Sequence, residues 1–163
     1  MESEIREIQL ACFRIGDATF AADIMRIKEI IRPQKLTRLP KAPPFVEGVL
    51  NLRGNVIPVI DLRKRFELPE RSKLEEARLL VVTVGRQLVG LVVDDVTEVV
   101  TVQVSDIKPP PQVVEGIGAE YLIGVCLVRD SLIMLLNLDR ILTSREASVL
   151  AGFAQAGSGA PAR

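Results

Sequence analysis

The chain has 163 residues, with 21 basic and 21 acidic side chains and no histidine or tryptophan. That length suits one domain or two small intertwined ones, and a formal charge of zero lacks the basic excess of a general nucleic-acid binder. The absence of histidine excludes His-based triads, His metal sites and a His general base. A hydrophobic fraction of 48%, only 4% of the chain being aromatic, points to an aliphatic, β-branched core that favours strands.

The first residues, Met1 to Glu7, are charged and show no signal-peptide pattern. The apolar runs Leu79–Val84 and Leu88–Val93 are too short to span a bilayer. The expectation is a soluble, cytoplasmic protein without direct membrane insertion. Cys12 and Cys126 lie in apolar runs and are expected to be buried small hydrophobes.

In chain order, Ile8–Ile15 predicts a strand ending at Gly16-Asp17, and Thr19–Ile24 a second. Ile24, Ile27, Ile30 and Ile31 then fall at helical spacing, which fits either a short amphipathic helix or an irregular strand before Pro33. Arg32–Pro44 reads as an extended loop. Val49–Leu52 and Val56–Leu62 flank Arg53-Gly54-Asn55 as a hairpin, and Pro58 implies an edge or bulge position. Arg63–Leu68 predicts one or two helical turns, and Glu70–Glu76 a polar connector.

The second half opens with strands Leu79–Val84 and Leu88–Val93 around Gly85-Arg86. Three prolines at 109–111 and a glycine-containing loop lead to a last hairpin, Val125–Val128 and Leu132–Leu138, around Arg129-Asp130-Ser131. Thr143-Ser-Arg-Glu146 matches a capping box and starts a helix expected to fade near Gly152, before a disordered tail from Gln155 to Arg163.

The halves repeat in order. With Gly16 on Gly85, Ile27 meets Val96, Glu29 meets Glu98 and Ile30 meets Val99; with Gly48 on Gly124, Arg53 meets Arg129, Ile57 meets Ile133 and Leu62 meets Leu138. A duplicated unit of about five short strands closes best as a small barrel, which removes exposed edges. Two such barrels leave a seam that suits a ligand or partner.

No Walker loop, dinucleotide fingerprint, nucleophile elbow or C-x-x-C is present. Asp94, Asp95 and Glu98 are too few oxygens for a hard cation, so no metal or other cofactor is expected. Arg32, Lys35, Arg38 and Lys41 lack the interleaved aromatics of a single-strand binder and read as a solvated loop. Arg53 is either a solvated turn residue or an interface arginine. Ile27, Ile30, Val96 and Val99 fit the core, with the seam as the alternative.

Asn51-Leu-Arg-Gly54 followed by Val56-Ile-Pro-Val-Ile-Asp-Leu62 resembles the hallmark of the CheW family of bacterial chemotaxis coupling proteins. Phe13-Arg-Ile-Gly16, Ile24-x-x-Ile-x-Glu-Ile30, Thr37-Arg-Leu-Pro40, Phe45-Val-Glu-Gly-Val49, Val89-Gly-Leu-Val-Val-Asp94 and Glu120-Tyr-Leu-x-Gly124 match it in order, from about Ile8 to Leu142. The resemblance implies two intertwined five-stranded SH3-like barrels over residues 8–142. Sub-barrels near 8–76 and 77–142 are open to strand exchange, and are flanked by a flexible 1–7 segment and a C-terminal 143–163 helix and tail.

It also implies a non-enzymatic scaffold, at receptor arrays, joining chemoreceptor cytoplasmic tips to the regulatory domain of the histidine kinase CheA. The receptor's helical hairpin would lie in a groove at Ile27, Glu29, Ile30, Arg53, Val96 and Val99, with Glu29 and Arg53 bridging. The kinase would meet barrel ends at Leu39, Pro40, Phe45 and Val56. The regulatory piece of a kinase is close in fold, but the chain has no motifs for phosphotransfer. A nucleic-acid-binding barrel is opposed by neutral charge, and an enzyme by the absence of a nucleophile–base pair.

Overall fold

The computed structural model describes residues 6–69, 77–114 and 117–159. Two five-stranded sheets dominate. One, barrel A, is built from β1 (Glu7–Ile15), β2 (Ala18–Asp23), β8 (Asp95–Gln103), β11 (Leu122–Val128) and β12 (Ser131–Leu136), ordered β11-β12-β2-β1-β8. The other, barrel B, holds β3 (Ile27–Ile31), β4 (Val46–Leu52), β5 (Asn55–Asp61), β6 (Arg78–Val84) and β7 (Gln87–Val93), ordered β3-β6-β7-β5-β4. A two-residue ribbon, β9 (Val113–Val114) with β10 (Ile117–Gly118), and helices α1 (Leu62–Arg65) and α2 (Ser144–Gly159) complete the described chain.

The topology is an insertion. The chain lays down the first hairpin of barrel A, builds the whole of barrel B, and then returns to finish barrel A. Parallel pairs, β12 on β2 and β5 on β7, stitch each barrel across its long connection.

Alternation sorts the apolar residues into three clusters, since successive strand side chains point to opposite faces. Leu10, Cys12, Ala21, Val100, Val102, Cys126, Ile133 and Leu135 fill barrel A. Leu50, Ile57, Val59, Leu79 and Val81 fill barrel B. The opposite faces share a central core between the barrels, which includes Phe13, Phe20, Phe45, Ile60, Leu62, Phe66, Leu91 and Met134. An aromatic column runs through that core: Phe13, Phe20, Phe66 and Tyr121 follow one another at centroid distances of 6.1, 5.7 and 5.1 Å. The sheets are thus fused by one hydrophobic interior, each fully buried aliphatic residue contributing about 1.5–3 kcal/mol.

Each barrel closes in the same way. Thr37 exchanges backbone hydrogen bonds of 2.9 and 2.8 Å with Val49 of β4, and Lys108 exchanges two of 2.8 Å with Val125 of β11. The approach is close enough to demand glycine beside it. A Cβ on Gly48 would stand 2.4 Å from the Thr37 carbonyl oxygen, and one on Gly124 would stand 2.6 Å from that of Lys108. The repeat of Gly48 at Gly124 is therefore a repeat of barrel closure.

Several local expectations resolve differently. The helical spacing from Ile24 to Ile31 is a single 3-10 turn, Ile24–Arg26, followed by β3, whose pairing with β6 shifts register between Ile27 and Glu29. A β-bulge lets residues three apart share a face, which reproduces a helix-like period in a strand. Both Gly-Val hairpins turn on two residues rather than three: Arg53-Gly54 and Arg129-Asp130 all have positive φ, leaving Asn55 and Ser131 in the strands.

Pro58 is not on an edge strand, because β5 lies between β7 and β4. It is tolerated because its partner Val49 directs its own backbone groups to Thr37, and the parallel ladder to β7 begins only at Val59. The capping box forms, with Glu146 N–H donating to Thr143 Oγ1 at 3.1 Å and Thr143 N–H to Glu146 Oε1 at 2.9 Å. Helix α2 continues past Gly152 to Gly159, through a stretch whose Ala151, Ala154 and Ala156 favour helix. The connector Glu70–Glu76 and the end of the tail, 160–163, lie outside the described residues.

Candidate functional site

The repeat places one device twice. In β3, Lys28 is the extra residue of the bulge, and the following Glu29 turns to the mouth of barrel B. In β8, Thr97 is the extra residue of the corresponding shift, since Cys12 pairs with Glu98 and Phe13 with Val96. Each glutamate meets the arginine at the tip of its barrel's closing hairpin. Arg53, at φ 52°, donates through Nη2 to Glu29 Oε2. Arg129, at φ 50°, donates through Nη2 to both oxygens of Glu98, at 2.6 Å each.

The two clasps are alike in plan and unlike in detail. Glu29 Oε1 is buried and has no hydrogen-bond partner among the described residues, whereas both oxygens of Glu98 are engaged. The arginines are similarly exposed, at 69% for Arg53 and 68% for Arg129. Burial pushes the Cys12 thiol up to about 11, with Glu98 and Cys126 adding to the rise and Arg129 opposing it. The second clasp therefore lies within electrostatic reach of the barrel A interior.

The bulges also fix the apolar members of the site. Ile27 and Val96 are half-buried and pack on the central core. Three residues on, Ile30 and Val99 emerge to solvent, at 43% and 53% exposure. The four residues thus divide into two, Ile27 and Val96, packed on the core and two, Ile30 and Val99, that are exposed. The sequence left core and seam as alternatives; the core describes Ile27 and Val96, while Ile30 and Val99 are exposed.

The barrel-end residues are less uniform. Pro40 is exposed, and Leu39 and Val56 are half-buried. Phe45 is a core residue: it is 8% exposed and its ring lies 4.4 Å below the Arg65 guanidinium. Its side chain is almost wholly enclosed in the central core.

Sequence reasoning aligned Arg129 with Arg53 and Glu98 with Glu29 but did not join them as a second pair; the two separate matches, of glutamate on glutamate and arginine on arginine, were the available signal. It also weighed Asp94 as a metal ligand and placed it in a family-like motif, but named no partner for it. Asp94 instead accepts from Arg63 and from Gly16 N–H at 2.8 Å, tying the first hairpin of barrel A to α1. Among the described residues no group of three or more Cys, Asp or Glu side chains is arranged to hold a metal ion. No helix among them is long and apolar enough to cross a membrane.

Comparison with known proteins extends these findings. Residues 9–146 match the family model described as a CheW-like domain. The chain is 37% identical over 150 residues to the chemotaxis protein CheW of Treponema pallidum, covering 89% of this chain and 88% of that one. It is 35% identical over 146 residues to the protein FrzA of Myxococcus xanthus, covering 88% and 91%. The structure superposes on the crystal structure of the scaffolding protein TtCheW from Thermoanaerobacter tengcongensis with a TM-score of 0.80, at 31% identity, covering 90% of this chain and 94% of that one.

Proposed function

The chain belongs to the CheW family of chemotaxis coupling scaffolds, and from that premise we propose how it couples. The groove flanked by Ile30 and Val99 takes the helical hairpin at the cytoplasmic tip of a chemoreceptor, and a barrel end takes the regulatory domain of the kinase CheA. The protein itself is a non-catalytic scaffold; its output is the activity of the kinase it holds, in the cytoplasm at receptor arrays.

The observation that carries this reading is that each barrel exposes one aliphatic residue, Ile30 or Val99, three positions after a half-buried one, Ile27 or Val96. An apolar floor with apolar flanks, bordered by an ion pair, suits the apolar stripe of an amphipathic helix. The Glu29–Arg53 pair adds orientation more than stability, as exposed ion pairs contribute about 0–1 kcal/mol. Glu29 Oε1, lacking a donor among the described residues, gives a partner's N–H or O–H group an acceptor to satisfy. On the kinase side the reading rests on Leu39, Pro40 and Val56, with Phe45 bracing them from the core.

The test mixes the protein with a receptor-tip fragment and CheA and follows co-assembly and autophosphorylation. The expected result is kinase activity that rises with the wild type, falls with Arg53→Ala at an unchanged melting temperature, and loses receptor binding with Ile30→Asp. Full coupling by a folded Arg53→Ala protein removes that residue from the site. Unchanged capture of the receptor fragment by folded Ile30→Asp defeats the groove.

A further inference from the structure

Each barrel leaves its closing hairpin through the same short turn. Asp61 caps α1 by accepting Arg63 N–H at 3.0 Å, and Asn137 caps the 3-10 turn Leu138–Arg140 by accepting Asp139 N–H at 3.1 Å. The shift of 76 residues that sets Gly48 on Gly124 also sets Asp61 on Asn137 and Arg63 on Asp139. Each of these turn residues pairs with a residue where the chain crosses between barrels, and the charges are exchanged. Arg63 binds Asp94, which lies between β7 and β8. Asp139 Oδ1 accepts from Arg26 Nη2 at 2.7 Å, and Arg26 lies between β2 and β3.

The crossover residues also hold equivalent carbonyl groups. With Gly16 on Gly85, Arg14 of β1 meets Thr83 of β6. Asp94 N–H donates to the Arg14 carbonyl at 2.9 Å. Arg26 Nη2 donates to the Thr83 carbonyl at 2.9 Å, and its Nε to Thr83 Oγ1 at 3.2 Å. Arg26 therefore joins β6 of barrel B to the turn that follows the last strand of barrel A. That turn is firmly seated: Leu138 and Ile141, on either side of Asp139, are buried in the central core on which Ile27 packs. The two pairs differ in exposure. Arg63 and Asp94 are largely buried, whereas the side chains of Arg26 and Asp139 are 31% and 62% exposed.

Each pair stands where a strand of the proposed receptor site begins. Strand β8 is nine residues long, but β3 has only five. It starts at Ile27, directly after Arg26, and carries Ile27, Glu29 and Ile30 across a register shift. It is also the terminal strand of its sheet, paired with β6 alone. A short edge strand with a bulge has few ladder bonds of its own to hold it in place. We propose that Arg26 is a positioning residue for receptor docking, which ties the start of β3 to barrel A through Asp139. An exposed ion pair adds little to global stability; what this one sets is where Ile27, Glu29 and Ile30 stand. The inference rests on the receptor site proposed above and adds a residue that acts on it from outside.

The test titrates the full chain with a soluble two-helix fragment of a chemoreceptor tip, and measures amide hydrogen exchange in the free protein. It compares the wild type with Arg26→Ala, Asp139→Ala and the double variant. Each single variant is expected to bind about three- to fivefold more weakly, and the double variant no more weakly than the worse single, because both act through one pair. Exchange should quicken from Ile27 to Ile31 and stay unchanged in β8, at a melting temperature close to that of the wild type. Wild-type affinity in folded Asp139→Ala overturns the proposal. So do losses that add in the double variant, or a loss of affinity with β3 exchange unchanged, since either means direct contact with the partner. Should Arg26→Ala lose its cooperative melt, Asp139→Ala, a change at an exposed position, decides by affinity and β3 exchange together. Ile30→Asp separates the two claims: if it abolishes binding while the Arg26 and Asp139 variants bind normally, only the positioning role is lost; if it too is without effect, the receptor site itself fails.

Discussion

Arg63 and Asp94 are joined by two hydrogen bonds, Nε to Oδ1 at 3.0 Å and Nη2 to Oδ2 at 2.5 Å, at the point where the chain leaves β7 for β8. Both side chains are largely buried, at 12% and 17% exposure, and the bond to Asp94 holds the Arg63 guanidinium above its usual pKa. Arg63 also donates to the Pro69 carbonyl, and Asp94 receives Gly16 N–H. One ion pair thus ties together α1, the first turn of barrel A and the crossover between barrels.

Removing one partner of such a pair leaves a buried charge, which costs about 3–5 kcal/mol. Arg63→Ala is therefore expected to destabilise the protein by about 3 kcal/mol. Chemical denaturation of the single variants and of Arg63→Ala, Asp94→Ala should show a favourable coupling energy above about 1 kcal/mol. Additive losses would reduce the pair to a surface contact.

The closing strands predict a matched pair of steric losses. Gly48→Ala and Gly124→Ala each drive a Cβ into a backbone carbonyl that cannot swing away, and Gly48 also has φ near 149°. Both variants are expected to lose about 2 kcal/mol or more, Gly48→Ala the more severely. Denaturation midpoints check this. Gly54→Ala, with open space around its Cβ, has only backbone strain to bear and should lose less.

Helix α2 is held at its start by Glu146. Its carboxylate caps Thr143 and accepts from Arg65 Nη1 and Nη2 at 3.2 and 3.0 Å, while the same guanidinium lies over Phe45 and, at 5.5 Å, Tyr121. Thr143→Ala removes only a cap, an expected loss of about 1 kcal/mol. Glu146→Ala removes the reciprocal cap and leaves Arg65 without its carboxylate, so it should cost more. Hydrogen exchange should rise across α2 in Glu146→Ala before the strands respond; uniform exchange in both variants would contradict this anchoring.

The buried thiol sets an alkaline limit. The Cys12 pKa is raised to about 11 from 9.0, chiefly by burial. Between those values the unfolded chain releases its proton and the folded chain keeps it, so stability is fully present below about pH 9 and declines as pH climbs towards 11. Thermal midpoints from pH 8 to 11 should fall in the wild type and fall less in Cys12→Ala, which lacks this linkage. Alkylating reagents should react slowly with the native thiols at neutral pH.

The repeat made two barrels legible because it preserved glycines and turn residues, which respond to backbone geometry, along with the apolar pattern. Arg53 and Glu29 were legible as members of a motif. What sequence spacing blurred was the bulge: Ile27 and Ile30 share a face only because Lys28 is extra, and a strand with one extra residue imitates a helix. The edge alternative for Pro58 failed for a related reason, since interior strands contain backbone positions that need no donor. The Arg63–Asp94 and Arg65–Glu146 pairs join residues 31 and 81 positions apart, a separation at which no local pattern reports on pairing.

Because the strands of barrel B are consecutive and those of barrel A are not, synthesis imposes an order of events. Barrel B has all its strands once the chain passes Val93, while β1 and β2 of barrel A must wait for β8, β11 and β12. Until then the faces of Phe13 and Phe20 have only the newly made barrel B to rest on. The hairpin made first thus shares its core with the barrel inserted after it, before its own sheet partners exist. Cutting the chain midway yields no independent half, since either fragment separates β1–β2 from the strands that finish their sheet.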